Sequence, residues 1–350
     1  MLPLASPPRN ICILRLSALG DVTHAIPVVR AIQKQWPDTR ITWICAKLEH
    51  KLLSALDDIE FIVVDKGSGI SGYYQLWRQM AGRRFDIMLQ MQTSARANFT
   101  GAVIRADIKL GLDRLRARDF HRCFTSDSIP ETRFEHQLQA HLSFARSIGL
   151  DADEPEWNFP VSDEAIAFVD SVVPVQQKIL LISPCSSHVH RNWRAERYAA
   201  VADYAIEQHG MAVVLSGGPS PLERNIGEAI ESAAAQPLIN LIGKDTLPQL
   251  AALLQRADVV LSPDSGPAHL ANALGTPVIG LYACTWSRRS GPYNSLDLCV
   301  DKFAEAAQRY RNNTPEQLRW GTRIEEEGVM DLVEVDEVNE RLETALARLP

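Results

Sequence analysis

Asp258-Val259-Val260-Leu261-Ser262-Pro263-Asp264-Ser265-Gly266-Pro267-Ala268-His269 reads as an apolar strand that runs directly into a helix continuing through 270–274. At such a junction the first-turn N–H groups lack intrahelical partners, and the aligned peptide dipoles add positive potential, so an anion gains from both. Gly266 lets a ligand approach the backbone, Pro267 has no N–H to leave unsatisfied, and Asp264 or Ser265 can cap the helix. A purely structural capped turn explains the same letters. One strand-to-helix unit of this kind implies more of them.

The rest of the chain supplies them. Short apolar runs at 11–16, 41–45, 61–64 and 87–91 alternate with amphipathic segments at 24–35, 48–56, 73–81, 95–104 and 135–148, the last ending at Gly149. After an acidic, proline-containing stretch, 151–156, and a short predicted strand at 157–159, a linker is placed near 151–176. The alternation then restarts. Strands are predicted at 179–182, 212–215, 238–241, 259–261 and 278–281, with helices at 197–207, 222–234 and 247–254. The pattern is α/β, two Rossmann-like parallel-sheet domains facing a central cleft, with expected boundaries at 1–160 and 175–334. A final helix within 335–350 closes either domain, packing back on the N-terminal one being one option.

Length and composition agree with this reading. A chain of 350 residues is long for one core, and 46% hydrophobic with 23% charged residues is ordinary globular composition. The net charge of -7 argues against general nucleic-acid binding. The six cysteines form no CxxC pair, which points to reduced thiols in a cytoplasmic setting and no metal site. The start of the chain does not read as a secretory signal, and no apolar run is long enough to span a bilayer. Any membrane contact is therefore expected to be peripheral.

Open α/β sheets bind ligands on the loops after their strands. The first such loop, Ser17-Ala18-Leu19-Gly20-Asp21, makes Asp21 either a general base or a helix cap, with His24 one turn on. The loop after the first strand of the second half, Pro184-Cys185-Ser186-Ser187-His188-Val189-His190-Arg191-Asn192-Trp193, supplies hydroxyls, including that of Ser187, and the guanidinium of Arg191. That planar fork suits two phosphate oxygens, although a surface arginine beside a packed tryptophan reads the same way. Ser216-Gly217-Gly218-Pro219 and the acidic Glu223 follow another strand, where a carboxylate binds ribose hydroxyls or the glycines simply make a turn. Arg96, Arg105, Lys109, Arg114, Arg116, Arg118 and Arg122 concentrate positive charge in an acidic protein, as a patch for an anionic acceptor or membrane surface, or as a solvated face.

Ile13-Leu14-Arg15-Leu16-Ser17-Ala18-Leu19-Gly20-Asp21-Val22, Arg191-Asn192-Trp193 and Asp264-Ser265-Gly266-Pro267-Ala268-His269, in this order, resemble the ADP-heptose:lipopolysaccharide heptosyltransferases, glycosyltransferase family 9. The resemblance covers nearly the whole chain. It implies the GT-B fold and an inverting transfer of heptose from ADP-heptose to the lipid A–Kdo inner core of lipopolysaccharide, with no obligatory cofactor. It assigns Asp21 as base and Arg191, where a lysine is common, to the donor diphosphate. Glu223 falls on the ribose, and Asp264, Ser265, Gly266 and His269 wrap the diphosphate and sugar. Ser187 joins the donor-binding set, while Arg96, Arg114, Arg116 and Arg118 are expected to meet the anionic acceptor at the inner face of the cytoplasmic membrane. Two departures flank the donor site: Ser265 stands where the family often has threonine, and Thr285-Trp286-Ser287 where it often has Thr-x-Pro. The alternatives are a transferase using another nucleotide sugar and a catalytically silent nucleotide-binding protein.

Overall fold

The computed structural model describes residues 2–65, 67–174 and 176–349. The expected start of the second domain at 175 lies outside them. The chain divides into two compact units, Met1–Pro160 and Val161–Pro350.

The first unit runs β1 (Asn10–Leu14), α1 (Leu19–Gln35), β2 (Arg40–Ala46), α2 (Lys47–Leu53), β3 (Ile59–Val64), α3 (Gly69–Met80), β4 (Phe85–Gln90), α4 (Ala95–Ala102), β5 (Ala106–Gly111), β6 (Asp127–Ser128) and α5 (Gln137–Ile148). Its six strands are all parallel, in the order β3-β2-β1-β4-β5-β6. The order reverses between β1 and β4, so the loops after these two strands border the place where open parallel sheets bind ligands. Ile11, Cys12, Ile13 and Leu14 are all fully buried, as a strand covered by helices on both faces requires. Each such aliphatic side chain contributes about 1.5–3 kcal/mol on leaving water.

The sequence reading missed β5. In Ala106-Asp107-Ile108-Lys109-Leu110-Gly111 the charges on alternate positions mask the strand, and Lys109 donates its Nζ to the Gly101 carbonyl, 2.8 Å away, instead of joining a surface patch. The predicted strand at 157–159 is absent. That segment is instead tied to α1, whose interior Pro27 cannot donate to the Thr23 carbonyl. The Trp157 indole donates to that carbonyl at 3.1 Å, and Arg30 donates to the carbonyls of Trp157 (3.1 Å) and Asn158 (2.6 Å).

The second unit runs α6 (Asp163–Val172), β7 (Ile179–Ile182), α7 (Ala195–His209), β8 (Ala212–Leu215), α8 (Pro221–Ala233), β9 (Ile239–Asn240), α9 (Leu247–Arg256), β10 (Val259–Pro263), α10 (Gly266–Ala273), β11 (Val278–Tyr282), α11 (Ser287–Ser290), β12 (Val300–Asp301), α12 (Phe303–Arg311) and α13 (Val335–Leu346). Its parallel strands stand in the order β12-β11-β10-β7-β8-β9, which repeats the topology of the first sheet with the reversal between β7 and β10. Helix α6 occupies the expected linker. It is capped by Ser162 and packs on α9.

The closing helix belongs to the second unit: Val338, Leu342 and Ala345 enter its core with Val333, Leu298 and Ala306, where its apolar stripe meets α7, β10, β11 and β12. No helix among the described residues is long and apolar enough to cross a membrane.

Candidate active site

In the second unit the loops after β7 and β10, on either side of the strand-order reversal, carry the charged residues. Arg191 closes a short 3-10 turn, Val189–Arg191, and Asp264 follows β10. Arg191 Nη1 lies 3.0 Å from Asp264 Oδ2 and donates to the Asp264 carbonyl at 3.2 Å. The Asp264 carboxylate also accepts from Thr285 Oγ1 at 2.8 Å and Ser290 Oγ at 3.4 Å, and His269 Nε2 stands 3.8 Å from its other oxygen. Burial alone would raise this carboxyl. Hydrogen bonding from His269, the Arg191 charge and the Thr285 hydroxyl outweigh it and hold the group at about 2.

Asp264 is thus a buried anchor that fixes one edge of Arg191. Both contacts with Asp264 use Nη1, one of the guanidinium's three nitrogens. Ser265 occupies the N-cap position of α10 without capping it, because its hydroxyl pairs with Ser262 Oγ at 2.8 Å. The Ser265 side chain therefore does not cap α10, and Pro267 sits in its first turn. Such an end favours an anion on its N–H groups.

Trp193, by contrast, is structural: buried, it donates its indole N–H to the Val333 carbonyl at 3.1 Å and meets Tyr198 edge-on. Ser187 is exposed on the loop after β7, whereas its neighbour Ser186 is buried and donates its N–H to Asn192 Oδ1 at 2.7 Å.

Glu223 lies in the first turn of α8, where Ser220 caps the helix and donates its hydroxyl to Glu223 Oε2 at 2.7 Å. The carboxylate lies over Gly218. A Cβ there would meet Oε2 at 2.7 Å, so a larger residue would push the carboxylate aside. Asp245 stands near it, half-buried and accepting from Ser216 Oγ at 2.9 Å; partial loss of solvent, against that hydrogen bond, raises its carboxyl to about 6. The sequence reading did not single out Asp245, Thr285 as an Asp264 ligand, or Ser290.

In the first unit Asp21 lies in the first turn of α1. Its carboxylate pairs with the Arg15 guanidinium and accepts from Gln137 Nε2 and from the Ala18 N–H at 3.2 Å. Arg15 also donates to the carbonyl of Met91, just beyond β4, and Gln92 Oε1 accepts from Leu16 N at 2.8 Å and Ser17 N at 3.3 Å, so the two loops at the strand-order reversal are tied together. His24, His136 and His141 are buried in edge-on contact behind this group, and burial pushes His141 down to about 4. Arg15 lies a short way before Asp21 in the same motif. Gln137, 116 positions away, gives no local signal.

The arginines of the basic stretch divide. Arg96, Arg114, Arg118 and Arg122 are exposed. Arg116 is turned inward, 3.2 Å from Asp113 and 2.6 Å from Glu135, and donates to the Thr132 carbonyl at 3.0 Å. Among the described residues, no three His, Cys, Asp or Glu side chains gather as a metal site.

The model of glycosyltransferase family 9 (heptosyltransferase) matches residues 73–318. The chain is 40% identical over 331 residues to the lipopolysaccharide core heptosyltransferase OpsX of Haemophilus influenzae, covering 95% of each protein. Among solved structures, a family 9 glycosyl transferase of Veillonella parvula superposes with a TM-score of 0.79 at 21% identity, covering 97% of this chain and 98% of that one. The heptosyltransferase WaaC of E. coli, solved with ADP, gives 0.72 at 16% identity over 96% and 99%. The fold is theirs: two Rossmann-like parallel sheets of the GT-B kind. With a family match across most of its length and a relative this similar over nearly all of it, the chain belongs to glycosyltransferase family 9, the heptosyltransferases, and is a glycosyltransferase.

Proposed function

We propose that this enzyme moves a heptose from ADP-heptose to the inner core of lipopolysaccharide, onto an acceptor of the lipid A–Kdo type, with inversion at the anomeric carbon. The observation that carries this reading is the 40% identity, spread over 95% of both chains, with a lipopolysaccharide core heptosyltransferase. The second unit holds the donor. Arg191 and the uncapped start of α10 at Ser265, Gly266 and Ala268 take the diphosphate, with Ser187 on the exposed rim. Asp264 and His269 position Arg191, and Glu223 takes the ribose hydroxyls.

In the reaction the acceptor hydroxyl oxygen bonds to the anomeric carbon as the bond to the diphosphate oxygen breaks, and that electron pair leaves with ADP. Asp21 receives the hydroxyl proton. Arg15, Gln137 and the Ala18 N–H orient the carboxylate for this without sealing it, since the Asp21 side chain stays 23% exposed. Charge that grows on the diphosphate meets donors already in place, so they stabilise the transition state more than the bound substrate. Arg96, Arg114 and Arg118 offer cations to an anionic acceptor, with Arg116 holding their loop, and the stretch meets the membrane peripherally.

The test is incubation with ADP-heptose and a truncated lipopolysaccharide acceptor, following product mass. A gain of one heptose, together with thermal protection by ADP and not by UDP or GDP, is expected. Transfer from a different nucleotide sugar, or none from any, overturns the reading.

A further inference from the structure

We propose that α4 and the turn at 118–124 form a docking surface for a bilayer containing anionic phospholipid, with Phe99 and Phe120 entering the interface. The proposal rests on the reading of the basic stretch as membrane-facing, and adds an apolar insertion that charge alone does not require. Phe120 is 84% exposed and Phe99 58%; the Phe99 ring meets Phe124 edge-on, with centroids 5.8 Å apart. Water is a poor environment for such side chains.

The display is built, not accidental. Asp119 and Phe120 both hold positive φ, 51° and 60°, a region that non-glycine residues avoid. Asp119 Oδ2 accepts from Ala95 N at 2.9 Å, and its carbonyl accepts from Asn98 Nδ2 at 2.7 Å, which pins the turn to the start of α4. Beneath it His121 is buried, with Nε2 accepting from Leu112 N at 3.0 Å and Nδ1 against Asn98 Oδ1 at 2.9 Å. Gln90 Nε2 completes the group by donating to Asn98 Oδ1 at 2.8 Å. A buried polar network thus holds an apolar ring outward.

The same two segments carry Arg96, Arg118 and Arg122, all exposed. The one acidic residue in 95–100 and 118–124 is Asp119, whose carboxylate is engaged with the Ala95 N–H. Cations flanking exposed aromatic rings match an anionic headgroup layer over an apolar interior. An apolar protein partner would not call for the arginines.

The experiment is flotation of the full chain with phosphatidylcholine vesicles, with and without phosphatidylglycerol. Binding to the anionic vesicles alone is expected, weakening as salt rises. Phe99→Ser and Phe120→Ser are each expected to weaken it by roughly tenfold, and the triple change Arg96→Gln, Arg118→Gln, Arg122→Gln by roughly a hundredfold, with transfer to a lipid-free acceptor unchanged for the two phenylalanine variants. Loss with the arginine variant but not with either phenylalanine variant overturns the insertion while leaving an electrostatic contact. No vesicle binding by the unaltered protein overturns both. A readout that needs neither variant uses Cys123, the exposed cysteine in this turn: a polarity-sensitive dye there is expected to shift to the blue on adding anionic vesicles, and an unmoved spectrum contradicts the proposal.

Discussion

The two units share one strand order, and each sets an arginine and a carboxylate at the loops where that order reverses, yet the two pairs are built for different work. In the second unit Arg191 and Asp264 come from the loops after β7 and β10, and the Asp264 side chain is 9% exposed among a cation, a histidine and two hydroxyls. In the first unit Arg15 and Asp21 share the loop and helix start after β1, and the Asp21 side chain is 23% exposed. A carboxylate enclosed by donors is a fixed counter-charge, whereas one that is held but open to solvent can exchange a proton with a substrate. On the proposed reading, the same fold supplies an anchor in one unit and a base in the other.

Replacing the base gives the largest expected effect. Asp21→Asn is expected to lower kcat by ~10²–10⁴, about 3–5 kcal/mol of barrier, with ADP-heptose affinity measured by calorimetry nearly unchanged. A parallel loss of donor affinity would erase the proposed division between the units.

Arg191→Met acts on the other side. It leaves the Asp264 carboxylate buried without its cation, and about 3–5 kcal/mol of stability is expected to go with it in denaturant titration. Donor affinity is expected to fall as well, and Arg191→Lys should recover part of both. Full stability in Arg191→Met would show that Asp264 is not held as described.

Acid separates the units by about 3 kcal/mol for each buried histidine. Burial holds His121 and His141 of the first unit near 4, below their ordinary 6.5, so the unfolded chain binds more protons and stability is lost as pH falls from 6.5 toward 4. Asp264 is depressed from 3.8 to about 2, so its contribution is lost only as pH falls through that lower window. Hydrogen exchange at decreasing pH should show the first unit opening before the second. Simultaneous opening would contradict this contrast.

The smallest expected effect is a gain. Asp245 is raised from 3.8 to about 6, so the folded state holds its proton more tightly and stability falls as pH rises through that window. Asp245→Asn should stabilise the protein by about 1–3 kcal/mol at neutral pH and little below pH 4. Destabilisation at neutral pH would mean that the ionised group is held by partners beyond Ser216.

Much of this was legible in the sequence because the decisive signals are local. Buried parallel strands read as apolar runs, and the strand-to-helix turns that hold Asp21 and Asp264 carry their own helix-start chemistry. β5 escaped because Asp107 and Lys109 alternate with its apolar residues and break the continuous apolar run that marks the other strands, and β12 because two residues, Val300–Asp301, make no pattern. The residues of the candidate site can be named one by one from the sequence, but their pairings cannot. That Arg191 grips Asp264, 73 positions on, or that Gln137 reaches Asp21, follows from strand order and helix packing. Arg116 shows the opposite error: it reads as one more surface cation, and its inward ion pairs with Asp113 and Glu135 depend on a fold-back no local pattern announces.

The most direct test of the central claim, a single displacement with Asp21 as base, is the anomeric configuration of the transferred heptose compared with that of the donor, read by NMR on the isolated product. The account requires the configuration opposite to that in ADP-heptose. Retention would demand a nucleophile that bonds to the sugar, and would contradict the role given to Asp21.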